Sequence, residues 1–280
     1  MLVVFCAMNC EASMLIRYYS LKKKQYTAFQ IFENDDKTMA LVVTGVGKNA
    51  AATALGTIAG KYGFGKCDYI INFGIAAGKN CNVGNLYVAN KLVESCTDRS
   101  FYPDMLYNTK IDEATIVTVD NLITNADMSD DLIYDMEATA IYQSANHFVG
   151  PHQISFVKLI SDNGNGADKI RQQDVEALIL QKQEQITDYV DMIINAIDLQ
   201  NNNQVFLTNE NELLFKKVCE DMKCSKTMER DLYQQFRYYE LSNNTLKQKI
   251  LEMYENEKLP CIDKKRGKVY LDELKRAVIQ

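Results

Sequence analysis

Two glycine loops and two carboxylates stand where a ligand can be met. Gly45-Val46-Gly47-Lys48-Asn49-Ala50 lies between an apolar run and an Ala-rich segment, as a strand-to-helix turn does. It matches the loose dinucleotide pattern G-x-G-x-x-[GA]. A ribose-holding acid should then end the next strand, but Asp68 begins it. A Walker loop fits less well, because Val42 replaces its first Gly and Asn49 its Ser or Thr. A tight turn alone also explains these glycines. Asn72-Phe73-Gly74-Ile75-Ala76-Ala77-Gly78 follows a second apolar run, and its small residues let a ligand approach backbone amides. Glu137, in Tyr134-Asp135-Met136-Glu137-Ala138-Thr139-Ala140, falls at or near a helix start, where the dipole favours a carboxylate. Asp162, in Lys158-Leu159-Ile160-Ser161-Asp162-Asn163-Gly164, ends an apolar strand. Each carboxylate also has a plainer reading, Glu137 as a cap and Asp162 as a turn residue.

Other constellations are poor. His147 and His152 are the only histidines, and no G-x-S-x-G elbow accompanies them. Cys219, Cys224 and Cys261 do not make a paired zinc pattern, so no metal and no cofactor is expected. Cys6 and Cys10 read as buried, inert thiols.

The elements that must position these groups follow from periodicity. Residues 2–6, 28–33, 38–44, 68–74, 85–94, 115–119 and 154–160 read as strands. Residues 10–20, 49–61 and 136–149 read as helices. Asp174 is expected to cap one long helix with Val175, Ile179, Ile186, Val190, Ile193 and Ile197 inward. Strands interleaved with helices predict an α/β fold with a largely parallel or mixed sheet flanked by helices. The polar stretch 200–204 is the expected linker, giving an α/β domain over 1–199 and a small, mainly helical domain over 204–280. In the latter, 209–222, 226–240 and 245–256 are helix-like, and Arg266-Gly267 is expected to turn a small hairpin between 261–263 and 268–271.

With 280 residues, 47% of them hydrophobic, the chain can bury a core without disulfides or metals. No apolar run approaches the ~18 residues of a membrane span. The first residues lack a basic segment, and the eight cysteines are scattered, so reduced thiols and a cytoplasmic location are expected. Residues 201–280 carry 15 Lys+Arg against 13 Asp+Glu, leaving a net of −8 for residues 1–200. That balance argues against the larger part gripping nucleic-acid phosphates but admits a small nucleoside.

Taken in order, Ala7-Met8 with Glu11, GVGK-N-A-A, N-x-G-x-A-x-G, D-MEATA and ISD resemble the nucleoside phosphorylase/nucleosidase superfamily, closest to its 5′-methylthioadenosine/S-adenosylhomocysteine nucleosidases. The resemblance spans residues 1 to about 197. It implies a nucleoside-phosphorylase-like α/β domain with a central mixed sheet, a homodimer, and hydrolysis of the N-glycosidic bond of a purine nucleoside, with adenine released. It implies Asp162 as the acid that protonates the leaving base and Glu11 as the base that activates water. Glu137 is then the acceptor for ribose hydroxyls, and Met136 and Met8 pack near the sugar. Leu122 and Ile123 take the base-reading positions, and Ala76 and Ser161 belong to the motifs that surround them. Ile75 and Lys158 depart from the family's Ser and Arg, which help hold the attacking water. Arg to Lys is not conservative where two parallel hydrogen bonds are needed. Residues 98–103 are a candidate lining for the sugar's 5′ side. Phosphorolysis, or a nucleoside-binding protein without turnover, are the alternatives. For 204–280 a packing role is expected over a winged-helix-like role in which Lys264-Lys265-Arg266-Gly267-Lys268 touches phosphate.

Overall fold

The computed structural model describes residues 1–24, 28–65, 68–165, 170–202, 207–242 and 245–279. They form two compact units, Met1–Asn201 and Asn202–Gln280. The expected linker at 200–204 runs into the end of a helix and then into residues 203 and 204, which lie outside the described residues.

Strand β1 (Leu2–Cys6) is buried on both faces, which suits an all-apolar run inside a sheet. Its side chains alternate between two cores: Leu2, Val4 and Cys6 enter one, Val3 and Phe5 the other. Helix α1 (Asn9–Tyr18) follows, then β2 (Lys22–Lys24), β3 (Gln30–Glu33) and β4 (Met39–Val43). The lysines of β2 cover the outer edge of the sheet, which discourages pairing with another chain. Helix α2 (Lys48–Tyr62) leads to β5 (Tyr69–Gly78), β6 (Leu86–Glu94), β7 (Arg99–Phe101), β8 (Asp112–Thr118) and β9 (Leu132–Asp135). Then come α3 (Ala138–Ala145), β10 (Ile154–Asp162), α4 (Gln172–Gln181) and α5 (Gln183–Asn202).

The sheet is mixed, as expected, but part of it closes on itself. β5 pairs in parallel with β1 on one side and β10 on the other, and its last residues, Ala77 and Gly78, pair with β9. β10 joins β6, β6 joins β8 and β8 joins β9, which completes the circuit back to β5. The length of β5 makes this possible. Beyond Asn72 it has run past β1, and β9 takes up the free edge further on. Helices α1, α4 and α5 cover one face through Leu15, Val175, Ile179, Ile186, Val190 and Ile193. Helices α2 and α3 cover the other through Leu55, Ile58, Ile141 and Ala145. Each such Leu or Ile contributes about 1.5–3 kcal/mol by burial.

The single long helix expected from Asp174 is two. The hydrogen-bond ladder slips at Lys182, whose N–H reaches Ile179 O at 3.0 Å, three residues back. The apolar spacing Ile179, Ile186, Ile193 keeps its phase across the break, so sequence pattern alone does not reveal it. Nor is Asp174 the cap. Arg171 holds that position, and Asp174 accepts its N–H at 3.3 Å and its guanidinium at 3.0 Å.

The second unit packs α6 (Asn209–Asp221), α7 (Lys226–Ser242), α8 (Leu246–Glu255) and α9 (Lys264–Ile279) around Val218, Met222, Leu232, Phe236, Ile250 and Leu274. The hairpin expected at Arg266-Gly267 is instead the first turns of α9. Gly267 serves close approach rather than a turn, since a Cβ there would lie 1.9 Å from the Met222 carbonyl oxygen. The basic run therefore opens a helix, and Asp263 offsets its unfavourable dipole by accepting the Arg266 N–H at 2.8 Å. Gly267→Ala must push the two backbones apart and is expected to cost at least about 2 kcal/mol. Calorimetry should show a transition lowered by about 8 °C or more. An unchanged scan would mean that the helices separate freely.

Candidate active site

The parallel strands β1, β4, β5 and β10 end along one edge of the sheet, where open α/β folds hold ligands. A cavity of about 230 Å³ lies at this edge. Glu11 reaches it from the first turn of α1, immediately beyond β1. Its carboxylate accepts the Met8 N–H at 2.8 Å and the Ile75 N–H at 2.9 Å. Gly74 is required beside it, because a Cβ there would stand 2.8 Å from Glu11 Oε1. The glycine of the N-x-G-x-A-x-G segment thus lets β5 lie against a carboxylate.

Asp162 ends β10. The register with β5 slips between Ile160 and Asp162, so Ser161 is an extra, unpaired residue. Such a bulge re-aims the side chain that follows it. Asp162 is partly exposed to the cavity, and its oxygens accept Ser161 Oγ–H and the Gly164 N–H, each at 2.8 Å.

Glu137 immediately precedes α3 but does not cap it with its side chain. It accepts the Gly47 N–H from the first glycine loop at 2.8 Å. Asp135 does the capping, taking the Ala138 N–H at 2.8 Å and the Thr118 hydroxyl at 2.7 Å. Asp135 also holds Lys158 at 2.8 Å, both side chains almost wholly buried.

Burial raises the carboxyl groups of Glu11 and Glu137 above their ordinary values, Glu137 to about 7. Lys158 opposes the rise at both, and backbone N–H groups help it. Burial alone would lower the Lys158 ammonium. Asp135 foremost, then Glu137 and Glu11, outweigh it and hold Lys158 above its usual range. One ammonium therefore serves three buried carboxylates.

No family model matches the chain, and no curated protein matches its sequence. Solved structures do. The nucleosidase from Colwellia psychrerythraea 34H, in complex with adenine, is 17% identical with a TM-score of 0.55, over 70% of this chain and 95% of that one. The S. pneumoniae enzyme with the transition-state inhibitor MT-ImmA is 16% identical with a TM-score of 0.55, over 70% and 99%. The Arabidopsis thaliana enzyme in apo form is 16% identical with a TM-score of 0.56, over 69% and 95%. The α/β part of this chain has the fold of the 5′-methylthioadenosine/S-adenosylhomocysteine nucleosidases.

Within this nucleosidase fold, Glu11, Asp162, Glu137, Met136, Met8, Leu122, Ile123, Ile75, Ala76 and Ser161 all line the one cavity. Lys158 does not. Its ammonium lies behind the wall, bound to Asp135. The strand 99–101 does not reach the cavity either. It pairs with β6, Phe101 stacks on Tyr142, and Tyr102 points to solvent. The nucleosidase-fold cavity also uses residues that sequence reasoning passed over. Val46, Cys10, Asp135, Ile170, Gln172 and Val175 line it, and Asp135 also holds the buried Lys158. A signal for Asp135 was present. A lysine inside the apolar run Ile154-Ser155-Phe156-Val157-Lys158-Leu159-Ile160 must find a buried counter-charge, or the charge costs several kcal/mol.

Proposed function

We propose that this chain hydrolyses the N-glycosidic bond of a purine nucleoside of the 5′-methylthioadenosine, S-adenosylhomocysteine or 5′-deoxyadenosine type, releasing adenine. The observation that carries the reading is the meeting of Glu11, Glu137 and Asp162, from three separate elements, around one cavity at the carboxyl edge of the sheet. Asp162 gives its proton to the departing base, which leaves neutral. Glu11, raised by burial, takes a proton from the water that attacks the anomeric carbon. Glu137 receives hydrogen bonds from the ribose hydroxyls. Met136 and Met8 pack on the sugar, and Leu122 and Ile123 flank the base.

Water is favoured over phosphate as the attacking group. A phosphate site needs cationic donors, and Lys158, the cation that acts on Glu11 and Glu137, is bound to Asp135. Ile75 also places an alkyl side chain at the cavity wall beside Glu11. The test is an assay of adenine from these three nucleosides with and without phosphate. Adenine without phosphate is expected. Release that depends on phosphate would make the protein a phosphorylase, and tight binding without release would make it a nucleoside-binding protein.

Glu137 makes binding depend on pH. With its carboxyl raised to about 7, the charged acceptor predominates only above that pH. KM should therefore fall several-fold as pH rises from 6 to 8, and Glu137→Gln should flatten the trend. A KM that is constant across this range in the native protein would remove Glu137 from ribose binding.

A further inference from the structure

We infer that Cys219 and Cys224 form a redox-active dithiol, closed to a disulfide by a peroxide. The end of α6 brings them together. Lys223 adopts a left-handed conformation, with φ of 50°. The Lys223 N–H then bonds to Glu220 O at 3.0 Å, and the Cys224 N–H to Cys219 O at 2.9 Å. This pair of bonds is the Schellman ending of a helix, in which the side chains at the positions of Cys219 and Cys224 touch. Apolar residues usually occupy both positions; here both are thiols.

Geometry permits the bond. With a 2.9 Å link between Cys224 N and Cys219 O, standard bond lengths keep the two Cα atoms within about 6.8 Å. That is within the span of a disulfide, and the hydrogen bond between the two thiols shows that their side chains converge, as a bridge requires. The corner is also held from outside. The Cys261 N–H donates to Asp221 O at 2.7 Å, the Lys223 ammonium to Ile262 O at 2.6 Å, and Gly267 presses on Met222. Both sulfurs are half-buried, so a small oxidant reaches them while bulk apolar packing does not seal them.

The two sulfurs have different roles. The hydrogen bond between the two sulfurs lowers the Cys224 thiol and raises that of Cys219. Position agrees: Cys219 sits in the last turn of α6, where the helix dipole disfavours a negative sulfur. Cys224 lies two residues before α7, where the dipole favours one, so Cys224 is the attacking thiolate. It attacks one peroxide oxygen, the O–O bond breaks, and hydroxide leaves with Cys224 as a sulfenic acid. The Cys219 sulfur then attacks the sulfenic sulfur, the S–S bond forms, and the second oxygen leaves as water. Two thiols are oxidised and one peroxide is reduced to two waters.

The test uses the full chain with hydrogen peroxide in small excess, followed by alkylation and peptide mapping. A Cys219–Cys224 link is expected, reopened by dithiothreitol. The exposed Cys96 and the buried Cys261 should remain outside it. In Cys219→Ser, Cys224 should be trapped as a sulfenic acid by dimedone. In Cys224→Ser, Cys219 should react at least ~10-fold more slowly. A pair that stays reduced after Cys96 is oxidised would overturn the inference, as would a link from Cys224 to Cys261. Equal reactivity of the two single variants would overturn the assignment of Cys224 as the attacking sulfur.

Discussion

On the proposed reaction, Asp162→Asn should lower adenine release by about 100- to 10,000-fold, the usual range for loss of a general acid. The substitution keeps the shape of the side chain. Asn Oδ1 can still accept the Gly164 N–H, now held at 2.8 Å by Asp162. The Ser161 hydroxyl can turn its proton to Ala76 O, 3.3 Å away, and accept from the new amide. The thermal midpoint should therefore stay within a few degrees while kcat collapses. KM should change little, because no ribose contact is assigned to this side chain. A rate within threefold of the native protein would show that another group protonates the base. A large fall in the midpoint would show that Asp162 is there for structure.

Lys158→Met leaves three buried carboxylates without their cation. Removing one partner from a buried ion pair costs about 3–5 kcal/mol, because the stranded charge is worse than no pair at all. The pH dependence identifies the cause. Lys158 opposes the burial-driven rise of Glu11 and Glu137, so its loss sends both carboxyl groups higher. A group whose folded value lies above its unfolded one supports stability at low pH and loses that support as pH rises through the folded value. The variant should therefore lie closest to the native protein near pH 5 and fall furthest behind it near pH 8. Thermal scans at the two pH values measure this. A deficit independent of pH would mean that Lys158 contributes packing alone. Catalysis should suffer as well, since Asp135, freed from Lys158, sits directly beneath the start of α3 and the Glu137 backbone.

The candidate site was legible in the sequence where a residue's position along an element sets its direction. Asp162 closes an apolar run, and Glu137 falls at a helix start. Both facts are local and both hold in the structure. Glu11 was reached through the order of motifs rather than by periodicity. Lys158 was visible as an oddity, but its address was not. It is tied to Asp135, on a strand that is not its neighbour in the sheet, and only the closure of β5, β10, β6, β8 and β9 brings them within 2.8 Å. The 98–103 segment failed as a cavity wall for a similar reason. Its aromatic residues suggested a ligand, but pairing of β7 with β6 spends Phe101 on Tyr142.

Glycine marks the same boundary. Gly267 beside Arg266 has the composition of a turn, yet it is a helix residue whose missing Cβ admits the Met222 carbonyl. Gly74 sits in a segment that looks permissive for a ligand, yet the atom it admits is Glu11 Oε1. In both places the residue type disclosed that something comes close, and the fold decided what.

From the sequence alone came the α/β class and the all-apolar strand at residues 2–6, because these depend on the pattern within single elements. The carboxylates near the element ends that line the cavity were named from the same source. Tertiary structure decided the closed circuit of strands, the bulge at Ser161, the sharing of one ammonium among three carboxylates, and the neighbours of each glycine. These depend on which distant segments become adjacent. The decisive energies, desolvation of a charge and overlap of two backbones, arise only after that adjacency exists.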